Sequence, residues 1–447
     1  MGFGSLCCVF RCFAFAAMLL LGARVFADEN EGGVRTMTLE QAYDRALASD
    51  QDIRIAYWEV RKANLLPWSA LAKLGPNLNG NVTLNRAVST RHSLGERITT
   101  RTNLESAGGL SVEQPLIDLT VFPAFRLGRL SMRSTRLEHQ FTIRATLFGL
   151  AKAYYEVLKQ QRIVEVNSQT LDLGNKQLEV AQKRADVGEV TRADVLRARV
   201  VVETARRALI ESQNTLLLDR NTLGNILNLG GDTNFRVVEP PTFSTALLPF
   251  DDLLNLALAR REDLLVAEMA IEEDIARRGE VVGQYAPGLV ARWNGSLDSH
   301  SGSINSNTHG WSGDLAVSLP FFTGGQREID LMTASRQIEV TKLNRDKKLK
   351  EVQQDVKEAW LTVRTLEGTI AALKTQVQAA KQSYEDLENQ YRAGEAKSVD
   401  VLSALTDLNS ARRDLAVQVY DYQVALRNLE QVSGVFQQER VERAKIR

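Results

Sequence analysis

The sequence repeats itself: its 447 residues contain two diverged copies of one unit, and this duplication restricts the fold more than any other feature. The segment GEVTRADVL, which begins at Gly188, matches GEAKSVDVL, which begins at Gly394, at a spacing of 206 residues. Near the start of each copy, residues 46–48 match residues 257–259 at a spacing of 211 residues. Because the spacing changes only once, the two copies differ in length mainly within one loop.

The copies also share a helical register. After each of the two glycines, apolar residues recur on alternating steps of three and four, and adding 206 to the positions in copy one gives those in copy two. Two further helical patterns run without interruption, from about Pro123 to Val187 and from about Gln326 to Ala393. At a rise of ~1.5 Å per residue each would be roughly 100 Å long, which is too long for an ordinary compact bundle of amphipathic helices.

Two shorter helices are predicted in each copy. They are expected at Leu39–Leu74 and Thr191–Leu229 in copy one, and at Asp251–Gln284 and Ser398–Ser433 in copy two. Placed end to end, each pair is about as long as one long helix. The sequence therefore predicts a wall in which a long helix lies antiparallel to two stacked shorter ones, with Gly188 and Gly394 turning the chain at one end.

Between the first short helix and the long helix of each copy, the apolar period changes from helical to alternating. Strands are predicted at about 76–90, 104–117, 287–299 and 310–321. A soluble half-buried sheet would alternate in the same way. However, each strand is close to the ~10 residues that cross an outer membrane, and four strands cannot close a barrel, since the smallest membrane barrels have about eight. The membrane interpretation therefore requires at least two chains, with apolar side chains facing lipid and Asn, Ser and Asp facing a wet lumen.

The N-terminus has the three parts of a secretory signal peptide, namely Arg11, an apolar run from Phe13 to Gly22, and small residues that predict cleavage after Ala27. The apolar run is about half of the ~20 residues that a spanning helix requires, and Arg24 closes it, so a membrane anchor is disfavoured. All three cysteines lie inside this segment. The mature chain therefore offers no cysteine nucleophile and no cysteine metal ligand.

These features divide the chain into five parts. They are a signal peptide at 1–27, a first repeat at 28–229, a proline-containing connector at 230–250, a second repeat at 251–433 and a tail at 434–447.

Taken in order and twice over, the motifs resemble the TolC-like outer-membrane efflux protein family across nearly the whole mature chain. They are EQPLID after the second strand, LPFFTGGQR after the fourth, and the paired segments that begin at Gly188 and Gly394. The resemblance implies a mainly α fold, in which duplicated long helical hairpins form an α-barrel and three chains contribute four strands each to one shared twelve-stranded β-barrel. It also implies a passive outer-membrane channel with a long periplasmic helical portion and no cofactor.

The resemblance further implies a homotrimer that contacts outer-membrane lipid and works in a tripartite efflux or type I secretion system. Its partners would be a periplasmic adaptor protein and an inner-membrane pump of the RND, ABC or MFS type. The two helical tips would form the channel entrance. The residues that the resemblance assigns to this entrance are Gly188, Thr191, Asp194, Tyr391, Gly394, Ser398 and Asp400.

The acids at the tips have two interpretations. Three-fold symmetry would repeat Asp194 or Asp400 around an axis, and the focused field would favour cations at a narrow mouth. An acid in the first turn of a helix also caps that helix and complements its dipole, and both roles remain open here. Some members of the family carry a basic residue and a further acid where this chain has Ala396 and Ser403, which leaves a charged latch and a double acidic ring undecided.

Other classes of function fit less well. The four histidines show no metal-ligand spacing, and the Gly324-Gly325 pair lacks the lysine of a phosphate loop, so the sequence predicts neither an enzyme nor a metal site. The 55 basic and 55 acidic residues are interspersed, which is not typical of a nucleic-acid-binding protein. A periplasmic or surface coiled-coil structural or adhesion protein is the alternative, but it leaves the strands and the duplication unexplained. The sequence does not specify the cargo.

Overall fold

The computed structural model describes residues 35–91, 99–231, 234–240, 247–301 and 306–445. The predicted signal peptide at 1–27 lies outside the described residues, as do two short stretches of the connector and the last two residues of the tail.

The first copy places two long strands between short helices and a pair of long helices. In chain order its elements are β1 (Arg35–Met37), α1 (Leu39–Ser49), α2 (Gln51–Ala63), α3 (Leu66–Ala72), β2 (Asn77–Arg91), β3 (Thr99–Ile117), α4 (Val121–Asp186) and α5 (Arg192–Ile226).

The second copy has the same order except that it lacks a counterpart of α3, and a short C-terminal helix follows it. Its elements are β4 (Phe235–Val237), α6 (Phe250–Arg260), α7 (Glu262–Gly283), β5 (Gly288–Ser301), β6 (Ser306–Ser318), α8 (Gln326–Ala393), α9 (Ser398–Val432) and α10 (Gln438–Lys445). The mainly α fold with a β portion that the sequence predicted is confirmed.

The first short helix of each copy is interrupted, which corrects the single helices predicted over Leu39–Leu74 and Asp251–Gln284. The breaks fall at Asp50 and Arg261, where ψ angles of 135° and 118° make the backbone extended. The Asp50 carboxylate accepts the N–H groups two and three residues later, at 2.9 and 3.1 Å, so that a new helix begins there. Copy one breaks once more before α3, which carries Pro67 in its first turn.

The long helices α4 and α8 contain 66 and 68 residues, which makes each about 100 Å long. Towards the C-terminal ends of α4 and α8, α4 and α9 pack in the middle of a layer of four helices, and α5 and α8 flank them. Near the strands, α7 packs between α4 and α8, while α2 and α3 pack on the other side of α4. The two copies are therefore joined side by side along α4.

The larger core lies around the middle of α4. Buried apolar residues recur there on steps of three and four, at Ile143, Leu147, Leu150, Tyr154 and Leu158. They pack against α1 and against the parallel pair formed by β1 and β4. The Tyr154 hydroxyl lies 2.9 Å from the carbonyl oxygen of Met37 and 2.5 Å from that of Val238, so it fastens both small strands to the long helix.

A buried arginine connects both copies to the tail. Arg144 of α4, only 2% exposed, pairs with Glu262 of α7 at 2.6 Å. Its guanidinium also donates to the Phe436 carbonyl oxygen at 2.6 Å and to the Gln438 side chain at 2.9 Å. Breaking such a pair by removing one partner typically costs about 3–5 kcal/mol, because the other charge stays buried. This contact therefore fixes where α7 and the tail meet α4.

The four long strands form one antiparallel sheet in the order β2-β3-β5-β6. Its register separates apolar from polar side chains, because neighbouring rows across the strands point to opposite faces. One row consists of Leu78, Val112, Trp293 and Gly313, and the next of Asn77, Glu113, Arg292 and Asp314. The apolar face is open to its surroundings, with Val82 81% and Trp311 78% exposed.

None of the helices in the described ranges is both long and apolar enough for a helical membrane span.

Candidate functional site

The two helical tips close with the same backbone turn. We call residues 184–197 tip one and residues 390–403 tip two. Gly188 and Gly394 have φ angles of 80° and 84°, in the left-handed region that glycine adopts without strain. The residue after each glycine donates its N–H to the carbonyl oxygen five residues before it. These bonds are Glu189 to Arg184 and Glu395 to Gln390, each 2.8 Å long. This is the Schellman motif, and it ends both long helices at equivalent positions.

Tip one then starts α5 with a reciprocal cap. The Thr191 hydroxyl donates to Asp194 Oδ2 at 2.7 Å, and the Thr191 N–H donates to the same oxygen at 3.1 Å. The Asp194 N–H donates back to Thr191 Oγ1 at 3.3 Å. These bonds from Thr191 lower the pKa of Asp194, since they stabilise its charged form. In this structure Asp194 has the geometry of a helix cap.

Tip two starts α9 differently. Lys397 occupies the position of Thr191, and only its backbone N–H reaches the exposed Asp400, at 3.3 Å from Oδ2. Ser398 is the first residue of α9 and not its cap. Its side chain is buried, and its Oγ has no hydrogen-bond partner among the described residues. The hydroxyl expected at the entrance therefore faces the protein.

Arg184, near the end of α4, joins the two tips. Its Nε donates to Glu189 Oε2 at 2.8 Å within tip one, and its Nη1 donates to the carbonyl oxygen of Tyr391 in tip two. Its guanidinium also lies over the Tyr391 ring, 4.6 Å from the ring centre. One cation thus makes an ion pair within tip one, and a hydrogen bond and a cation–π contact to tip two.

Tyr391 is part of a small apolar core beneath tip two. It is 1% exposed and belongs to one cluster with Tyr384, Val401, Leu405 and others. Its hydroxyl is buried without a hydrogen-bond partner in the described part of the chain. Leu173 and Val180 of α4 pack against the same cluster, so α4 helps to hold tip two in place.

The structure also locates the two residues at which the chain departs from some family members. Ala396 is half-buried and packs against the cluster that contains Tyr391. Ser403 is exposed on α9. Across the described residues, no group of three or more His, Cys, Asp or Glu side chains is placed to hold a metal ion.

The structure brings together some of the sequence-predicted entrance residues and separates others. Tyr391 and Gly394 meet tip one through Arg184, whose Nη2 would lie 3.6 Å from a Cβ at Gly394. Asp194 and Asp400 each bond to the start of their own helix. Sequence analysis missed Arg184. A basic residue in the last turn of a helix is ordinarily a partner for the helix dipole, and its contact to the other copy could only be seen in three dimensions.

Comparisons with known proteins follow the same duplicated plan. A family model described as "Outer membrane efflux protein" matches residues 42–229 and 253–435. The probable efflux pump outer membrane protein TtgC of Pseudomonas putida is 24% identical over 391 residues, which cover 84% of this chain and 78% of TtgC. The alkaline protease secretion protein AprF of Pseudomonas aeruginosa is 25% identical over 348 residues, which cover 73% of this chain and 69% of AprF.

Solved structures share the fold. The CmeC outer membrane channel of Campylobacter jejuni aligns with a TM-score of 0.75 at 16% identity, over 95% of this chain and 94% of CmeC.

Proposed function

The chain belongs to the outer membrane efflux protein family, as its repeats predicted, and we propose that three copies of it form one conduit from the periplasm to the exterior. It is an outer-membrane channel protein with a long periplasmic helical portion. In the proposed trimer the strands of three chains close one barrel, and the helices continue it as a tunnel that narrows at tips one and two.

The observation that carries this proposal is the four-stranded sheet. Its outer strands β2 and β6 pair with no further strand among the described residues, and a sheet with two open edges tends to associate with others. Apolar and polar rows alternate across the sheet, so that most of its large apolar side chains lie on one face. Three such sheets supply twelve strands, enough for a membrane barrel with an apolar outer surface and a polar interior.

The helical wall supports the same assembly. Its flanking helices carry exposed apolar side chains, such as Val200 and Ile210 on α5 and Met332 and Leu343 on α8. A trimer would bring α5 of one copy, and α2 and α3 nearer the strands, against α8 of the next and bury these residues, since surfaces of this kind are typical of interfaces. The alternative of a coiled-coil structural or adhesion protein explains the helices but gives the segregated sheet no role.

The partners follow from this placement. The channel is passive in the proposal, as the resemblance to the family implies. A periplasmic adaptor would dock on the tips, and an inner-membrane pump of the RND, ABC or MFS type would drive transport. TtgC is named for an efflux pump and AprF for protease secretion, so we propose small molecules or polypeptides as the cargo.

The entrance residues stay part of the proposal. We assign Gly188 and Gly394 the turns that bring the helices to a narrow mouth, and Asp194 and Asp400 a negative field around it. Thr191, Tyr391 and Ser398 would hold those turns in place rather than contact cargo, since they cap a helix or are buried.

Conductance tests the proposal. Purified full-length protein in a planar bilayer should give small steps with the tips closed and larger steps when Arg184→Ala releases the contact between them. The same protein should migrate as a trimer in detergent gels before boiling and as a monomer afterwards. A protein that fractionates as soluble, or an Arg184→Ala variant without conductance, would contradict the conduit.

A further inference from the structure

A cavity of about 1290 Å³ lies beside the small strands β1 and β4, far from the tips. Its walls come from the second half of α4, from α5, and from α8 and α9. Arg162 of this wall precedes Gly188 by 26 residues along the chain, which corresponds to roughly 40 Å of helix. The cavity is thus a separate feature from the proposed entrance.

The charges around this cavity do not balance. Four arginines and two glutamates line it, namely Arg162, Arg220, Arg236, Arg412, Glu165 and Glu239. Arg162 and Glu165 form a close ion pair, and Glu239 accepts a hydrogen bond from the Tyr420 hydroxyl at 3.4 Å. No carboxylate in the described ranges lies within ion-pair distance of the other three arginines. The lining therefore carries an excess of positive charge.

Two buried donors on this lining also lack acceptors. Arg220 Nε and Gln161 Nε2 are both inaccessible to solvent and have no hydrogen-bond partner among the described residues. Burial and the neighbouring charge of Arg236 lower the pKa of Arg220. Buried donors are normally satisfied, so these two atoms mark a part of the lining where the described residues supply no acceptor.

Part of the remaining wall is apolar. Its residues are Leu158, Leu216, Val377, Leu415 and Val419. A ligand with only a charged group would leave this surface uncovered, whereas an apolar body beside the charged group would cover it. Pockets of about 300–1,000 Å³ hold molecules of drug size, so there is room for such a body.

We propose that this cavity binds an amphipathic organic anion, with its carboxylate, phosphate or sulfonate group against the guanidinium groups of Arg220 and Arg236. Arg412 faces the same space from α9. The site does not depend on the conduit, because a variant could lose anion binding and keep its conductance, or the reverse.

Two fluorescent probes of matched shape test the charge requirement. Anilinonaphthalene sulfonate is an amphipathic anion, and phenylnaphthylamine is its neutral analogue. Full-length protein in nanodiscs of zwitterionic lipid would be titrated with each, and the signal of empty nanodiscs subtracted. The Arg220→Gln/Arg236→Gln variant should bind the sulfonate about tenfold or more weakly than wild type, since hydrogen bonds to charged groups are the strong ones, and should bind the neutral probe equally.

The matched control is Arg199→Gln/Arg207→Gln, which removes two exposed arginines from the same helix α5 outside the cavity. It should leave both affinities unchanged. The single Arg236→Gln variant, at an exposed side chain of β4, should still weaken sulfonate binding severalfold if the double variant fails to assemble.

Three results would overturn the proposal. The sulfonate could bind no better to protein-containing than to empty nanodiscs, or both double variants could lose affinity equally. Displacement of the probe by inorganic phosphate at matched concentration would show that charge alone suffices, which contradicts an amphipathic site. Bilayer conductance of the same preparations reads the conduit function separately.

Discussion

The two tips have one backbone turn and two different ways of holding it. In tip one the charged side chains bond to neighbours within the tip. Arg184 pairs with Glu189, and Asp194 accepts the hydroxyl of Thr191, the N-cap of α5. Tip two contains the buried ring of Tyr391. The backbone carbonyl of Tyr391 accepts a hydrogen bond from Arg184 of tip one, and the ring makes a cation–π contact with the same guanidinium. At the position equivalent to Tyr391, 206 residues earlier, tip one has Ala185.

This difference shows what duplication followed by divergence achieves. The chain joins its two tips through unlike partners, among them the Arg184 side chain of tip one and Tyr391 of tip two. The Schellman turns are unchanged because each needs only a glycine, whereas the side chains around them have become complementary. Tip two consequently depends on tip one, and variants should affect the two unequally.

Tyr391→Ala should have the largest effect, because it gives tip two the residue of tip one. Truncating a buried aromatic side chain typically costs about 3–5 kcal/mol, and Arg184 would also lose its ring contact. Hydrogen exchange followed by mass spectrometry should show faster exchange over tip two and a smaller change over tip one.

The control for this variant is Tyr391→Phe. The Tyr391 hydroxyl is buried without a partner in the described residues, so removing it should leave exchange at tip two unchanged or slightly slower. Faster exchange in the phenylalanine variant would show that the hydroxyl has a partner and that the packing argument is incomplete.

Arg184→Ala should come next, at about 2 kcal/mol, since it removes a charge-assisted hydrogen bond and a cation–π contact together. Exchange should increase at both tips, and bilayer conductance should rise. Arg392→Ala is the matched control, because Arg392 lies in tip two but pairs with Glu388 inside its own helix. If the two variants behave alike, Arg184 does not join the tips.

The caps offer a smaller and reciprocal test. Thr191→Ala should destabilise the start of α5 by about 1 kcal/mol, as loss of a capping hydroxyl usually does. Lys397→Thr gives tip two the cap of tip one and should stabilise the start of α9 by a similar or smaller amount. Exchange in the first turns of the two helices measures both. Equal effects of opposite sign would show that the caps of the two helices differ by this one side chain, whereas no change at the start of α9 would contradict the capping argument.

Most of the fold followed from the sequence because a repeat tests every prediction twice. The long helices and the segregated strands are local patterns of period 3.6 and 2, and both copies show them. The breaks at Asp50 and Arg261 did not follow, since apolar periodicity continues across them and only the backbone angles show the interruption. The strands β1 and β4 were also missed, because three residues are too few to establish a period.

The candidate site followed less well. The glycines of the turns are visible in sequence because a left-handed residue favours glycine. Arg184 is not, since its role comes from a contact with Tyr391, 207 residues later in the chain. Ser398 begins its helix as the sequence predicted, but only the structure shows that its side chain is buried.

A pH titration should give the smallest effect and separates Asp194 from the rest of tip one. The pKa of Asp194 is lowered in the folded chain by its bonds to Thr191, so the stability it contributes is present above its unfolded pKa of about 3.9 and lost as pH falls through the lower folded value. Exchange protection at the start of α5, corrected for intrinsic rates, should therefore be constant from pH 7 to about pH 5 and decline below about pH 4. Thr191→Ala should flatten this decline, because the bonds that lower the pKa are weakened. A segment in the middle of α4 is the internal control, and a parallel decline there would mean that acid unfolds the whole chain instead of releasing one cap.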